Sequence, residues 1–297
     1  MNPGLRNGKQ VWEFEGKTIA LLPTAVFVHG YRSDPNGWDQ MTNELSIPEK
    51  LKTLGFTTLM FDYKSDNLSG AVGISKDFYS FLKKSKVFPG KFDLYAHSFG
   101  NMIARYTIEF RYLEVRNFFM FAPMNRGTHM ATLVKNLSDE FRFMGKYGDL
   151  NARLLFNSMF HAISGREGQD HVGFTKGTLT DSATRDMDPA SGFMKRLNSV
   201  RRLNYLNNNV RGMMRSFGDP QDTAVMLEDK LWSIFPGISQ EDAVRMNDPG
   251  RLPDTIHYRN YLHFLINGSY DENAHNMMLG DDRFLNVLWR NLNAPVY

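Results

Sequence analysis

Cysteine is absent from all 297 residues, so neither disulfides nor thiolate metal sites can contribute to this chain. No apolar run is long enough to cross a bilayer as a helix. The stretch Met1 to Trp12 has no apolar core of signal-peptide length, which fits a cytoplasmic protein, or a secreted one whose signal was removed. Charge of one sign is scarce as well: 35 basic against 32 acidic residues leave a net charge of +3. Basic clusters such as Lys83, Lys84, Lys86 or Arg201, Arg202 are short and read as solvated faces, so no nucleic-acid partner is expected. Internal repeats and low-complexity segments are also missing, which excludes repeat architectures.

Strand and helix patterns are plentiful instead. Apolar runs at 25–29, 56–62, 92–97, 117–122, 210–217 and 261–266 predict strands, and helical spacing predicts helices at 37–54, 75–86 and 99–112. Turn chemistry at Glu15-Gly16 fits an N-terminal hairpin. Alternation of the two patterns predicts an α/β fold with a mostly parallel central sheet and helices on both faces.

Within that pattern one pentapeptide carries chemistry. Ala96-His97-Ser98-Phe99-Gly100 lies between the alternating strand Phe92 to Tyr95 and a helix with Met102, Tyr106 and Phe110 on one face. A strand-to-helix turn this sharp strains the backbone and exposes a serine for nucleophilic attack. It needs small residues two positions to either side, here Ala96 and Gly100. Upstream, the buried strand Thr24 to Val28 runs into His29-Gly30-Tyr31. A serine nucleophile requires two backbone N–H groups aimed at the developing negative charge, and the amides of Tyr31 and Phe99 are the expected pair. The plain alternative is that His29-Gly30 only ends a strand.

On these residues the chain resembles the lipase and esterase branch of the α/β-hydrolase superfamily. The strand into His29-Gly30, the elbow at 96–100 and the segment Ala122-Pro123-Met124-Asn125-Arg126-Gly127-Thr128 occur in the family's order. Asp188 to Asn198 is similar to a segment that many such lipases carry over the active site. The alanine-first elbow is like that of bacterial triacylglycerol lipases, whose relatives more often have glycine there. The resemblance implies an α/β-hydrolase fold, a Ser-Asp-His triad in the chain order nucleophile, acid, histidine, and no cofactor.

Of the eight histidines, His275 stands where the family places its base, on a loop after the strand 261–266 and before a terminal helix. That helix is expected to be capped by Asp281 or Asp282 and to bury Leu285, Leu288 and Leu292. Two aspartates follow the strand 210–217. Asp222, in Asp222-Thr223-Ala224-Val225, resembles the family's acid; Asp219 precedes Pro220, reads as a turn residue, and is the alternative. The acid would fix the imidazole tautomer and stabilise the imidazolium. His29 and His97 are expected to touch substrate.

Residues 131–209 form an insertion longer than a connection needs, between the two parts of the hydrolase core, 1–130 and 210–297. Met130 to Leu137 and Leu150 to Ile163 look helical, Gly165 to Thr184 polar and turn-like. The insertion is expected to be a mainly helical cap with Leu154, Leu155, Met159 and Phe160 lining the acyl side of the pocket and with lipid-interface contact open to it. An ordinary helical insertion is the alternative. Asp170, His171 and Asp181 could ligate a metal, but polar loops commonly hold such residues and no metal is expected. The expected activity is hydrolysis of a small-molecule or lipid carboxylic ester. Phospholipase, thioesterase or amidase chemistry on the same scaffold is the alternative, and a non-catalytic ligand-binding member of the fold is a third reading.

Overall fold

A computed structural model of the chain describes residues 4–6, 9–14, 17–21, 23–31, 33–39, 45–64, 69–87, 89–128, 131–132, 182–218, 261–265, 279, 285–286 and 288–290, with side chains from 23 onward except at 261–265. Three short strands open the chain: β1 (Gly4–Arg6), β2 (Lys9–Phe14) and β3 (Lys17–Leu21), antiparallel in a sheet of their own. Phe14 pairs with Lys17, as the hairpin expected at Glu15-Gly16 requires.

The remaining described strands are β4 (Thr24–Val28), β5 (Thr57–Phe61), β6 (Phe92–His97), β7 (Asn117–Phe121), β8 (Met214–Gly218) and β9 (Tyr261–Leu265). They form one parallel sheet in the order β5-β4-β6-β7-β8-β9. Every residue of β6, β7 and β8 is buried, as strands covered on both faces must be. Period-two alternation sorts their side chains between two cores. Val26, Val28, Leu94, Ala96, Phe118 and Met120 pack on one face against α2 (Gly70–Lys84) and α3 (Phe99–Phe110). Ala25, Phe27, Tyr95, Phe119 and Phe121 pack on the other with Trp38 and α1 (Ile47–Thr53). Leu279, Leu285 and Leu288 join this second core, so the terminal stripe is buried as expected at the two of its positions that are described.

Strand order also locates a crevice. From β4 the chain crosses to β5 on one side, whereas from β6 it crosses to β7 on the other. The loops leaving the carboxyl ends of β4 and β6 therefore diverge, and such a switch point is where open α/β sheets bind ligands. Those two loops begin at His29 and Ser98.

Four expectations change. The helix expected at 37–54 is a 3-10 turn, Pro35–Trp38, followed separately by α1. The break comes at Ser46, which forms a capping box with Glu49, and Pro48 can sit only in a first helical turn. α2 begins at Gly70 rather than 75, because Asp186 accepts the Ala71 amide at 2.8 Å and so satisfies a helix end that two glycines would otherwise weaken. β8 begins at Met214, since Val210 caps helix α6 (Val200–Asn209) and makes only an isolated bridge to Val115 before the strand starts. Thr184, expected in a turn, lies in helix α4 (Ser182–Met187).

Helices α4, α5 (Gly192–Leu197) and α6 all lie within the span expected as a cap. They pack in the same core as β4, α2 and α3, through Met187, Phe193, Leu197, Leu203 and Leu206. Residues 182–209 therefore share the sheet's core. The rest of that span, with Leu154, Leu155, Met159 and Phe160, lies outside the described residues apart from 131–132, as do Asp170, His171 and Asp181. Among the described residues no helix is long and apolar enough to cross a membrane.

Candidate active site

Ser98 occupies the turn between β6 and α3 with φ 53° and ψ −124°, a backbone conformation that L-residues other than glycine seldom adopt. The strain is held from several sides. The Ser98 amide donates to the Phe121 carbonyl at 2.9 Å. Asn101 donates its amide to the Ser98 carbonyl at 3.0 Å, and its side-chain Nδ2 donates to Ser98 O at 3.1 Å and Phe121 O at 2.9 Å. The turn thus hangs from β7 by the side chain of a residue that sequence reasoning passed over. An asparagine within a first helical turn, where it competes with regular helix bonding, was the available signal.

Small residues flank the turn for the reason expected. Ala96 faces Val28 in register and is fully buried. A Cβ at position 100 would overlap the carbonyl oxygens of Val28 and His29, so α3 crosses the end of β4 backbone against backbone. Gly100→Ala should lower stability by more than the roughly 1–3 kcal/mol of ordinary overpacking, because carbonyl groups cannot rotate aside as a side chain does. Turnover by the folded fraction should fall too, since α3 carries the Phe99 amide. Thermal melting and kinetics on the same preparation check this, and a variant with wild-type melting would contradict the contact.

The loop after β4 lies against this turn. A Cβ on Gly30 would come within 3.1 Å of both Ser98 Cβ and His97 Nδ1. Tyr31 is next along this loop, and Phe99 follows Ser98 as the first residue of α3, where a backbone N–H has no acceptor within its own helix. These are the two residues whose amides are expected as oxyanion donors. The Tyr31 ring meets the Phe99 ring edge-on at 6.1 Å, and its hydroxyl lies 3.1 Å from Thr184 Oγ1, which joins the loop to α4.

His29 and His97, expected to touch substrate, are both buried against the loop. His29 is 1 % exposed, with Nδ1 donating to the Gly30 carbonyl at 2.9 Å and Nε2 accepting the Tyr63 amide at 3.3 Å. Burial lowers its pKa despite the pull of Asp62, so the ring is neutral and both nitrogens are occupied. His97 is buried edge-on to Trp38, ring centroids 6.3 Å apart, with Gly30 on its Nδ1 side. His97 ends β6, and His29 follows β4 directly.

Tyr63 was also missed. It follows β5 and donates its hydroxyl to His29 O at 2.7 Å, with Gly30 O at 3.2 Å, while its ring stacks on His29 at 4.1 Å.

The two downstream segments that resemble family motifs meet on one buried guanidinium of α3. Arg105 donates to Asn125 O and Oδ1 at 3.1 and 3.2 Å, to Leu197 O at 3.3 Å and to Asn198 Oδ1 at 3.1 Å. Its Nε donates to Glu109 Oε1 at 2.9 Å, one helical turn on. Burial outweighs Arg105 and pushes the Glu109 carboxyl up to about 7. Because this folded value lies above the ordinary 4.5, the native state holds a proton that the unfolded chain releases. The resulting stabilisation is complete below 4.5 and is lost as pH rises through 7. Glu109→Gln, which imitates the protonated form, should match wild-type melting at pH 5 and exceed it at pH 8; parallel melting curves across that range would refute the assignment.

Asp219, Asp222 and His275 lie outside the described residues. Among the described residues no cluster of histidine and carboxylate could hold a metal ion.

No family model matches the sequence, and no curated protein matches it. Solved structures do. BpoC of Mycobacterium tuberculosis is 14% identical with a TM-score of 0.53, over 92% of this chain and 93% of that one. Est816, described as an N-acyl homoserine lactone degrading enzyme, is 16% identical with a TM-score of 0.50 over 98% and 99%. MGS-MChE2, an α/β-hydrolase enzyme from the metagenome of lagoon sediments at Mar Chica, Morocco, is 11% identical with a TM-score of 0.50 over 98% and 97%. At these identities the likeness is one of fold.

Proposed function

Since this chain has the α/β-hydrolase fold, we propose that it is a serine hydrolase that cleaves carboxylic esters through an acyl-enzyme on Ser98. The observation that carries the proposal is the left-handed backbone of Ser98 at the sheet's switch point, packed against the Gly30 turn. Strain of this kind persists only where the surrounding structure enforces it, which supports a nucleophile at this turn with the amides of Tyr31 and Phe99 as its proposed donors.

In the proposed reaction His275 takes the Ser98 proton as the hydroxyl oxygen attacks the acyl carbon, and Asp222 holds the imidazole. The amides of Tyr31 and Phe99 receive the oxyanion. Collapse expels the alcohol, which leaves with the proton from His275; water then repeats the sequence and frees the acid. Topology favours these partners. β8 and β9 run parallel to β6, so both end at the edge where Ser98 sits, and the chain leaves that edge toward Asp222 and His275 respectively. Leu154, Leu155, Met159 and Phe160 are the proposed acyl-side wall. Each substrate methylene buried there would contribute about 0.8 kcal/mol, so their truncation should erode preference for long chains first.

The test is active-site labelling. A fluorophosphonate probe should modify Ser98 stoichiometrically, with the adduct mapped by peptide mass, and a series of nitrophenyl esters from acetate to palmitate should then rank acyl length. Absence of labelling with a folded protein favours the non-catalytic alternative. Labelling without ester turnover favours thioester or amide substrates.

A further inference from the structure

We propose that Tyr63 is a positioning residue of the oxyanion hole, acting through His29 and the Gly30 carbonyl to aim the Tyr31 amide. The inference rests on the reading that Ser98 attacks an acyl carbon and that this amide meets the oxyanion.

A peptide unit is planar, and its C=O and N–H point in opposite directions. The Gly30 carbonyl and the Tyr31 N–H belong to one such unit, so whatever holds the oxygen sets the direction of the donor. Three donors converge on that oxygen: His29 Nδ1 at 2.9 Å, the Tyr63 hydroxyl at 3.2 Å and the Ser33 amide at 3.4 Å. Tyr63 shares its single proton between this carbonyl and the neighbouring His29 O at 2.7 Å, and so braces two successive peptide units.

Tyr63 also controls His29. Its backbone amide donates to His29 Nε2, which leaves the ring proton on Nδ1, the nitrogen facing Gly30 O. Its ring lies parallel to the imidazole, 6° between planes at 4.1 Å, and fixes the ring's rotation. A glycine without such a brace would sample many backbone directions. Donors on a carbonyl also polarise the peptide and strengthen its N–H as a donor. Burial raises the Tyr63 pKa well above its ordinary value, so the hydroxyl keeps its proton wherever the enzyme works. None of these contacts reaches Ser98.

An amide aimed at charge that appears only in the transition state should affect kcat rather than KM. Tyr63→Phe keeps the stack and removes the hydroxyl alone. Losing an oxyanion donor outright costs about a hundredfold or more, and misaiming one should cost on the order of tenfold in kcat, with KM within about twofold. The inhibition constant of an alkyl boronic acid, whose tetrahedral adduct imitates the intermediate, should rise by the same factor. His29→Asn places an amide nitrogen near the position of Nδ1 and should retain more turnover than His29→Ala.

A Tyr63→Phe variant that melts earlier but keeps kcat and the boronic acid constant within about twofold of wild type would make Tyr63 purely structural and overturn the proposal. If that variant does not fold, the histidine pair decides, and equal losses in His29→Asn and His29→Ala overturn it. Wild-type protein that is neither labelled by fluorophosphonate nor active on esters refutes the underlying reading, a result obtained before any variant is made.

Discussion

Ser98→Ala is expected to lower ester turnover by on the order of 10⁴-fold or more while leaving the fold intact, because a nucleophile and its base act as a unit and losing either removes the covalent route. Alanine at position 98 keeps the left-handed backbone, so its strain remains. Ser98→Gly removes the nucleophile and relaxes that strain together. A residue held in such a region costs on the order of 1–3 kcal/mol, so the glycine variant should melt above both wild type and Ser98→Ala while being equally inactive. Melting temperature and turnover measured on the three proteins check both halves. Residual turnover in Ser98→Ala within tenfold of wild type would mean another nucleophile does the chemistry. A glycine variant less stable than wild type would mean that the strain is smaller than the contacts of the serine side chain.

Asp93→Asn is expected to have the largest effect on stability without touching the chemistry. Asp93 is fully buried at the start of β6, where it accepts two bonds from Arg116, Nε at 2.7 Å and Nη2 at 2.6 Å, and a third from Asn117 Nδ2 at 2.8 Å. Asn117 passes the connection on by accepting the Met213 amide at 2.8 Å, so one carboxylate ties the entry of β8 to β6 and β7. An asparagine fills the space but leaves the guanidinium without a countercharge. Breaking a buried pair costs about 3–5 kcal/mol. The lower end applies here because the Arg116 side chain is still 29% exposed and water can screen it. About 3 kcal/mol corresponds to a melting temperature lower by on the order of 10 °C for a chain of this size. Asp93 lies at the opposite end of β6 from Ser98, so kcat measured well below the transition should be unchanged. A fall in kcat there, with melting unaffected, would contradict a purely structural role.

The position of Ser98, the burial of β4 and the leucine stripe near the C-terminus were legible in the sequence because each is written in local spacing. A strand declares itself within five residues, and the elbow within five more. Roles that depend on partners distant in the chain were not legible. Nothing near His29 in the sequence announces that Tyr63, 34 residues away, donates to one of its nitrogens. The motif residues Asn125 and Asn198 read as family markers, and only the folded chain brings both to Arg105. Likewise α2 gains a turn from Asp186, 115 residues downstream, which no helix-start signal near Gly70 could announce.

The sequence by itself therefore determined the sheet's strands and the sharp turn at Ser98, since backbone periodicity and steric demands at such a turn act over a few residues. Tertiary structure alone decided which polar side chains hold that turn and the loop beside it. A buried polar group must find a partner wherever the chain brings one, and for His29, Asn101 and Arg105 that partner stands on another element.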